Sequence, residues 1–134
     1  MIGTVEKNIR DIVIIDDESS FLRVLVDAID SGTYSNQKKV LNPIPHENIS
    51  DAIAYIEKET HPPFAYLVDM QLPGDLEGSE RFFNYLKDRR IENNFFFMTG
   101  HISKHDLEVQ KRTGARIIDK PNIRTAMYAI IESI

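Results

Sequence analysis

Acidic residues directly follow two of the apolar runs in this sequence. Asp16 and Asp17 come after the run Ile12–Ile15, and Asp69 comes after the run Phe64–Val68. Carboxylates that gather in one place repel each other unless positive charge joins them. A hard cation such as Mg²⁺ binds one or two carboxylates together with waters and phosphate oxygens. A carboxylate in such a place can also attack phosphorus and form an acyl phosphate. These residue types therefore indicate metal-assisted phosphoryl chemistry.

Two other apolar runs end in residues that suit the same chemistry. Thr99 and Gly100 follow the run Phe95–Met98, and Lys120 and Pro121 follow Arg116–Ile118. A threonine hydroxyl can hydrogen-bond a transferred phosphoryl oxygen, and a lysine ammonium can offset its charge. Each residue taken alone is more often part of a turn or a helix cap. It is their joint placement at the ends of four runs that favours a functional site.

The elements that must position these residues are visible in the hydrophobic pattern. Five short apolar runs alternate with five segments of helical periodicity. Most runs are continuous rather than alternating, which is typical of parallel strands covered on both faces. The second run, Lys39–Leu41 with Ile44 nearby, is the weakest. Pro43 and Pro45 either place it at a sheet edge or cut it short.

The helical segments carry recognisable end signals. Asn48 is a candidate N-cap for the second helix, and Ser103 with Asp106 is close to a capping box for the fourth. Gly114 is well placed as a left-handed stop. Helices are also predicted after Ser19 and Ser20, after Gly78 and Ser79, and from Asn122. The polar segment Asp30–Lys39 is predicted to be a surface loop.

This alternation predicts an α/β fold with a parallel sheet, helices on both faces and right-handed crossovers. In such a sheet, ligands collect at the carboxyl ends of the strands. If the first, third, fourth and fifth strands are neighbours, Asp16, Asp17, Asp69, Thr99 and Lys120 converge at one edge.

Composition limits the classes of protein that fit. The 134 residues suit a single domain, and no stretch approaches the ~20 apolar residues of a membrane span. The N-terminal residues lack the apolar core of a signal peptide. The absence of cysteine excludes disulfides and thiolate metal sites, and the net charge of −5 argues against nucleic acid as the main partner. We expect a cytoplasmic protein that binds neither nucleic acid nor membrane directly.

Four motifs in this order resemble the receiver domain of two-component response regulators. They are Asp16-Asp17, Asp69-Met70-Gln71-Leu72-Pro73, Thr99-Gly100 and Lys120-Pro121, and the resemblance spans nearly the whole chain. It implies a flavodoxin-like (βα)₅ fold with strand order 2-1-3-4-5. It further implies that residues 1–134 form one receiver domain without an effector domain.

The resemblance also implies a role for each matching residue. Asp69 would accept the phosphoryl group, from a sensor histidine kinase or a histidine phosphotransfer protein. Asp17 would bind Mg²⁺ directly and Asp16 largely through water, with the backbone carbonyl of Gln71 as a further ligand; Mn²⁺ or Ca²⁺ are candidate substitutes. Thr99 and Lys120 would bind the phosphoryl group. The side chains of Gln71 and His101 would tune dephosphorylation, and the bond before Pro121 would be cis.

One position departs from the family pattern. The family usually has an aromatic residue three positions before the lysine, and here that residue is Ile117. Output would then have to come from backbone shifts around Thr99–Lys104 and the fourth helix. The face formed by the fourth helix, the fifth strand and the fifth helix is basic, because it carries Lys111, Arg112 and Arg116. The simpler interpretation is a helix face whose side chains contact only solvent. The output partner, and dimerisation through this face on phosphorylation, stay open.

Three functions compete at this point. The first is a phosphorylatable receiver, and the second is a receiver-like docking module that works without phosphorylation. The third is an enzyme such as a metal-dependent phosphohydrolase with an aspartate nucleophile. The complete residue set speaks against the second function. The third commonly needs an acid two residues after the nucleophile, where this chain has Gln71. We therefore expect a signalling switch that is no enzyme beyond its own phosphorylation and dephosphorylation.

Overall fold

A computed structural model of the chain describes residues 8–34, 39–74 and 77–133, which form five strands, five helices and a short 3₁₀ turn. In chain order the elements are β1 (Asn8–Ile15), α1 (Ser19–Asp30), β2 (Lys39–His46), α2 (Ile49–Lys58), β3 (Ala65–Asp69), α3 (Gly78–Asp88), β4 (Phe95–Thr99), α4 (Lys104–Thr113), β5 (Arg116–Asp119), the 3₁₀ turn Lys120–Asn122, and α5 (Ile123–Glu132).

The strands form one parallel sheet in the order β2-β1-β3-β4-β5. Side chains of α1 and α5 pack on one face of this sheet. Side chains of α2, α3 and α4 pack on the other. The predicted flavodoxin-like (βα)₅ fold and strand order 2-1-3-4-5 are therefore confirmed.

Two neighbouring strands in the interior of the sheet are buried at every position. Both β3 and β4 are fully buried along their length, because helices cover both faces of the sheet. Tyr66 and Phe97 point into one core and Leu67 and Met98 into the other. Burial of each large apolar side chain contributes about 1.5–3 kcal/mol. The ends of these two strands, where Asp69 and Thr99 lie, are thus fixed by dense packing on both sides.

The edge strand β2 runs through both of its prolines. It pairs with β1 over eight residues, with Ile12 opposite Pro43 and Ile14 opposite Pro45. The backbone carbonyl of His46 accepts a hydrogen bond from the Asp16 backbone amide at 3.1 Å, so the backbone groups of His46 face β1. Backbone groups alternate in direction along a strand. Those of Pro43 and Pro45, an odd number of residues before His46, therefore face the open edge of the sheet. Of the two predicted outcomes, an edge position is observed rather than an early end. The longer pairing also extends β1 back to Asn8.

The predicted helix ends are confirmed where the structure describes them. The Asn48 side chain accepts a hydrogen bond from the Asp51 backbone, and Ser103 and Asp106 form the reciprocal capping box. Gly114 ends α4 with a φ of 72°, in the left-handed region that favours glycine. The predicted surface loop Asp30–Lys39 is confirmed only in part. Ser31–Thr33 are exposed, but Tyr34 is buried in the core on the α1 side and Lys39 already belongs to β2. Residues 35–38 lie outside the described residues.

Candidate functional site

The sheet register brings the predicted residues to one edge. In adjacent strands Ile15 lies opposite Val68, Asp69 opposite Met98, and Thr99 opposite Asp119. Asp16, Asp69, Thr99 and Lys120 therefore end or directly follow four neighbouring strands. As whole residues, Asp16, Asp69 and Thr99 are at most 3% exposed.

Lys120 lies among three carboxylates. Its Nζ is 2.8 Å from Asp16 Oδ2, 3.4 Å from Glu18 Oε2 and 3.5 Å from Asp69 Oδ2. The same ammonium lies 4.8 Å from the ring centroid of Phe21, at the start of α1. Its side chain is only 15% exposed, so its contacts with the buried carboxylates of Asp16 and Asp69 are formed largely out of water.

Asp16 and Asp69 each accept a hydrogen bond from the turn that follows them, and each also faces Lys120. Asp16 Oδ1 accepts a hydrogen bond from the Glu18 backbone at 2.9 Å. Asp69 Oδ1 accepts one from the Gln71 backbone at 3.0 Å. Each carboxylate thus caps the turn that follows it, as the simpler interpretation of an isolated aspartate predicts. The second oxygen of each carboxylate still points towards Lys120.

The electrostatic environment of Asp69 opposes its negative charge. Burial is the main cause, and together with the neighbouring Asp16 carboxylate it raises the pKa of Asp69 to about 6, although the Gln71 backbone and Lys120 pull it down. Burial also disfavours the Lys120 ammonium, but the adjacent Asp16 carboxylate and the negative charges of Asp69 and Glu18 outweigh it and raise the pKa of Lys120. The site therefore holds a permanent cation and a carboxylate that further positive charge would stabilise.

Three carboxylates are arranged to receive such a charge. One oxygen each of Asp16, Asp17 and Asp69 lies within 4.8 Å of the others. Asp16 and Asp69 are buried, whereas Asp17 is exposed and gives access from solvent. An all-oxygen donor set suits Mg²⁺, Mn²⁺ or Ca²⁺ rather than a metal that prefers nitrogen or sulfur ligands. The cluster is compatible with the predicted divalent cation, and the role of the Gln71 carbonyl as a ligand stays a prediction.

Thr99 does not contact Asp69 through its hydrogen bond. Its hydroxyl donates to the backbone carbonyl of His101 at 3.1 Å, so the side chain is turned along the loop that leads to α4. The side chains of Gln71 and His101 are exposed near the same edge. Their role in tuning dephosphorylation stays a prediction.

The predicted cis bond before Pro121 is wrong. The described residues contain no cis peptide bond, and Lys120 and Pro121 begin the 3₁₀ turn in the trans form. The trans form of an X–Pro bond is intrinsically favoured by about 0.5–1 kcal/mol. This arrangement still delivers the Lys120 side chain to the site, since its ammonium reaches Asp16.

The predicted output face has fewer uncommitted basic side chains than the sequence indicates. Arg112 donates two hydrogen bonds to Glu80 of α3, at 2.9 and 3.1 Å, and Arg116 stacks over the Phe96 ring at 4.0 Å. Two of the three predicted basic side chains are therefore engaged within the domain. Ile117, at the position of the usual aromatic, is half-buried against the core on the α4 side.

Two site residues received no role in the sequence analysis. Glu18 and Phe21 both contact the Lys120 ammonium. Glu18 stands next to the acidic pair, which is the one signal that could have drawn attention to it. The apolar spacing of the segment after Ser20 suggests only that Phe21 belongs to the buried face of a helix. Neither contact with Lys120 follows from spacing, because it joins residues about a hundred positions apart through a long, flexible side chain.

Solved structures with this fold include response regulator receiver domains. No family model and no curated protein matches the sequence. The receiver domain of a Francisella response regulator is similar with a TM-score of 0.69 and 12% identity, over 92% of this chain and 98% of that one. A Burkholderia pseudomallei response regulator, solved with a phosphorylated aspartic acid, a calcium ion and citrate, is similar with a TM-score of 0.70 and 18% identity, over 92% of this chain and 69% of that one.

A further structural neighbour is described as an adenylate cyclase from Rhodopirellula baltica. It has a TM-score of 0.65 and 23% identity, over 92% of this chain and 87% of that one. At these identities the similarities establish the fold. The chain thus has the receiver-domain fold, which confirms the resemblance seen in the sequence at that level.

No described helix has the length and apolar character needed to cross a membrane.

Proposed function

We propose that this protein is a phosphorylation-dependent signalling switch that accepts a phosphoryl group on Asp69. The observation that carries the proposal is the convergence of Lys120 with the acidic trio Asp16, Asp17 and Asp69 at one edge of a receiver-type sheet. The donor would be a phosphohistidine on a sensor kinase or a phosphotransfer protein. The signal would pass to a separate partner or to an output domain outside this chain, and we propose the cytoplasm as the site of this exchange.

The transfer requires a nucleophile and compensation of its charge. A carboxylate oxygen of Asp69 forms a bond to phosphorus while the bond between phosphorus and the donor imidazole breaks. The imidazole leaves with the bonding electrons and takes up a proton. Lys120 offsets the negative charge on the phosphoryl oxygens, and Thr99 can donate to one of them after its hydroxyl turns from His101. Mg²⁺, when held by Asp16, Asp17 and Asp69, would supply further charge compensation.

The competing functions explain the site less well. A docking module that works without phosphorylation would not need a carboxylate and an ammonium buried together, because burying charges carries a cost in stability. A phosphohydrolase would need an acid to protonate its leaving group. The residue two positions after Asp69 is Gln71, whose amide side chain cannot serve as that acid. We therefore propose no enzymatic activity beyond the protein's own phosphorylation and dephosphorylation.

Intact-mass spectrometry tests the proposal. We expect incubation with acetyl phosphate or phosphoramidate and Mg²⁺ to add one phosphoryl group, and EDTA to prevent it. Asp69→Asn should not be labelled. The matched variant Asp88→Asn, which alters an exposed residue at the end of α3, should be labelled like wild type. Failure of every phosphodonor to label the wild type, or unchanged labelling of Asp69→Asn, would overturn the proposal.

A further inference from the structure

We infer that Glu18 is a positioning residue that competes with the phosphorylated Asp69 for the Lys120 ammonium. The inference rests on the proposed function, and it concerns how far phosphorylation is favoured rather than whether it occurs. It starts from a geometric observation. Glu18 Oε2 and Asp69 Oδ2 lie at nearly the same distance from Lys120 Nζ, 3.4 and 3.5 Å.

The two competing carboxylates differ in their exposure to solvent. The Glu18 side chain is 58% exposed, and that of Asp69 is 4% exposed. An ion pair exposed like that of Glu18 contributes little to stability, because water and salt screen it. The Glu18 contact is therefore poorly explained as a stabilising feature of the fold. It is also independent of the predicted metal ligands, since Glu18 is not a member of the acidic trio.

Residues at the start of α1 hold the ammonium on their side of the site. Glu18 is the N-cap residue of α1, but its side chain caps no backbone amide of the helix. It reaches Lys120 instead. The Phe21 ring contacts the same ammonium. Together with the short ion pair to Asp16, these contacts hold Lys120 nearer to Asp16 than to the phosphoacceptor.

Phosphorylation changes the balance between the two carboxylates. A phosphoryl group carries a charge of about −1.5 to −2 near neutral pH and offers several strong acceptor oxygens. At the buried position of Asp69 this charge attracts the ammonium more strongly than an exposed carboxylate does. Lys120 then moves towards the phosphoryl group, and Glu18 is released to solvent. Breaking the Glu18 contact is part of the cost of phosphorylation, so its removal should favour the phosphorylated state.

The isosteric substitution Glu18→Gln tests this competition. Beryllofluoride with excess Mg²⁺ serves as a phosphoryl mimic, and backbone amide NMR gives the concentration at half-saturation. Based on the usual strength of exposed ion pairs, we expect Glu18→Gln to bind about two- to five-fold more tightly than wild type. Glu47→Gln is the matched control, because Glu47 is an exposed glutamate just after β2 at the same edge and is not among the carboxylates described in contact with Lys120. It should bind like wild type.

A second comparison separates competition for Lys120 from simple repulsion between Glu18 and the phosphoryl group. In a Lys120→Gln background, Glu18→Gln should lose its effect on half-saturation. If that background binds too weakly to measure, the ¹³Cε NMR signal of Lys120 in ligand-free protein decides. Glu18→Gln should move this signal, and Glu47→Gln should not.

The outcomes distinguish this inference from the proposed function. The role of Glu18 alone would be overturned if wild type binds the mimic and Glu18→Gln reaches half-saturation at the same concentration. It would also be overturned if Glu18→Gln has the same effect on half-saturation in the Lys120→Gln background. An unmoved Lys120 signal would do the same. Wild type that neither binds the mimic nor accepts a phosphoryl group would overturn both proposals.

Discussion

Lys120 forms its shortest ion pair with Asp16, at 2.8 Å between Nζ and Oδ2. The ammonium is farther from Asp69, at 3.5 Å, and is shared with a third carboxylate. Asp69 is therefore buried without full compensation of its charge. This imbalance raises the pKa of Asp69 to about 6, and it leads to the first prediction.

We predict that Asp69→Asn stabilises the metal-free protein at neutral pH. The raised pKa means that the folded state disfavours the Asp69 carboxylate relative to the unfolded chain. Wild type therefore loses stability as the pH rises from about 3.8 to about 6, and a neutral amide escapes this loss. The shift of about two pKa units already includes the attraction between Lys120 and the Asp69 carboxylate, and it sets an upper bound of about 3 kcal/mol on the gain in stability.

Urea unfolding in EDTA checks this prediction. The difference between Asp69→Asn and wild type should be small at pH 4 and reach its full value by pH 7.5. Asp88→Asn controls for the loss of an exposed aspartate and should show no such pH dependence. A variant that is less stable than wild type at pH 7.5 would show that Lys120 already compensates the Asp69 charge.

Mg²⁺ should stabilise the wild-type protein against heat, with Asp17 as the accessible ligand. A ligand present at ten times its Kd stabilises the folded state by about 1.4 kcal/mol, which raises the Tm of a domain of this size by about 3–6 °C. Asp17→Asn removes the exposed member of the trio while leaving the buried pair in place. We expect this variant to lose most of the Mg²⁺-dependent shift in differential scanning calorimetry, and Glu47→Gln to retain it. An undiminished shift in Asp17→Asn would place the cation elsewhere.

The capping box of α4 should contribute measurably to stability. The Ser103 hydroxyl accepts from the Asp106 backbone at 3.1 Å, and the Asp106 carboxylate accepts from the Ser103 backbone at 3.0 Å. Ser103→Ala leaves a backbone amide of the first turn without its partner, and we expect a loss of about 0.5–2 kcal/mol. Ser50→Ala, at an exposed position in the first turn of α2, is the matched control and should be nearly neutral. Equal unfolding free energies for the two variants would contradict the prediction.

Much of this architecture could be predicted from local patterns. The apolar runs place Asp69 and Thr99 at strand ends, because continuous runs suit buried parallel strands and such strands share one carboxyl edge. The Ser103–Asp106 box and the Gly114 stop follow from backbone chemistry within a few residues. Local patterns could not decide whether β2 continues through Pro43 or ends there, since the answer depends on which strand lies beside it in the sheet.

The contacts of long side chains were beyond such patterns. Arg112 looks solvated in the sequence, yet it pairs with Glu80 on a different helix. The partner of a flexible side chain depends on which residues the fold brings within its reach. The trans form of the Lys120–Pro121 bond shows a related limit, because a local motif does not fix one isomer when the energy difference is about 0.5–1 kcal/mol.

The last prediction concerns how phosphorylation of Asp69 reaches α4. The Thr99 hydroxyl donates to the His101 carbonyl at 3.1 Å, and His101 lies in the loop directly before α4. If the hydroxyl turns to a phosphoryl oxygen, that carbonyl loses its partner and the loop must rearrange. Ile117 is half-buried against the core and offers no aromatic ring to report the change through β5. We therefore expect amide hydrogen exchange to change at residues 100–106 when the site is phosphorylated or binds beryllofluoride.

Variants of Thr99 separate transmission from phosphorylation. Thr99→Ser keeps a hydroxyl and should preserve the exchange change. Thr99→Val keeps the shape of the side chain but cannot donate, so it should still be labelled on Asp69 while the change at residues 100–106 is lost. Intact mass and hydrogen exchange on the same samples give both readouts. An exchange change confined to β5, or one that persists in labelled Thr99→Val, would show that the signal leaves Asp69 by a route other than the Thr99 hydroxyl.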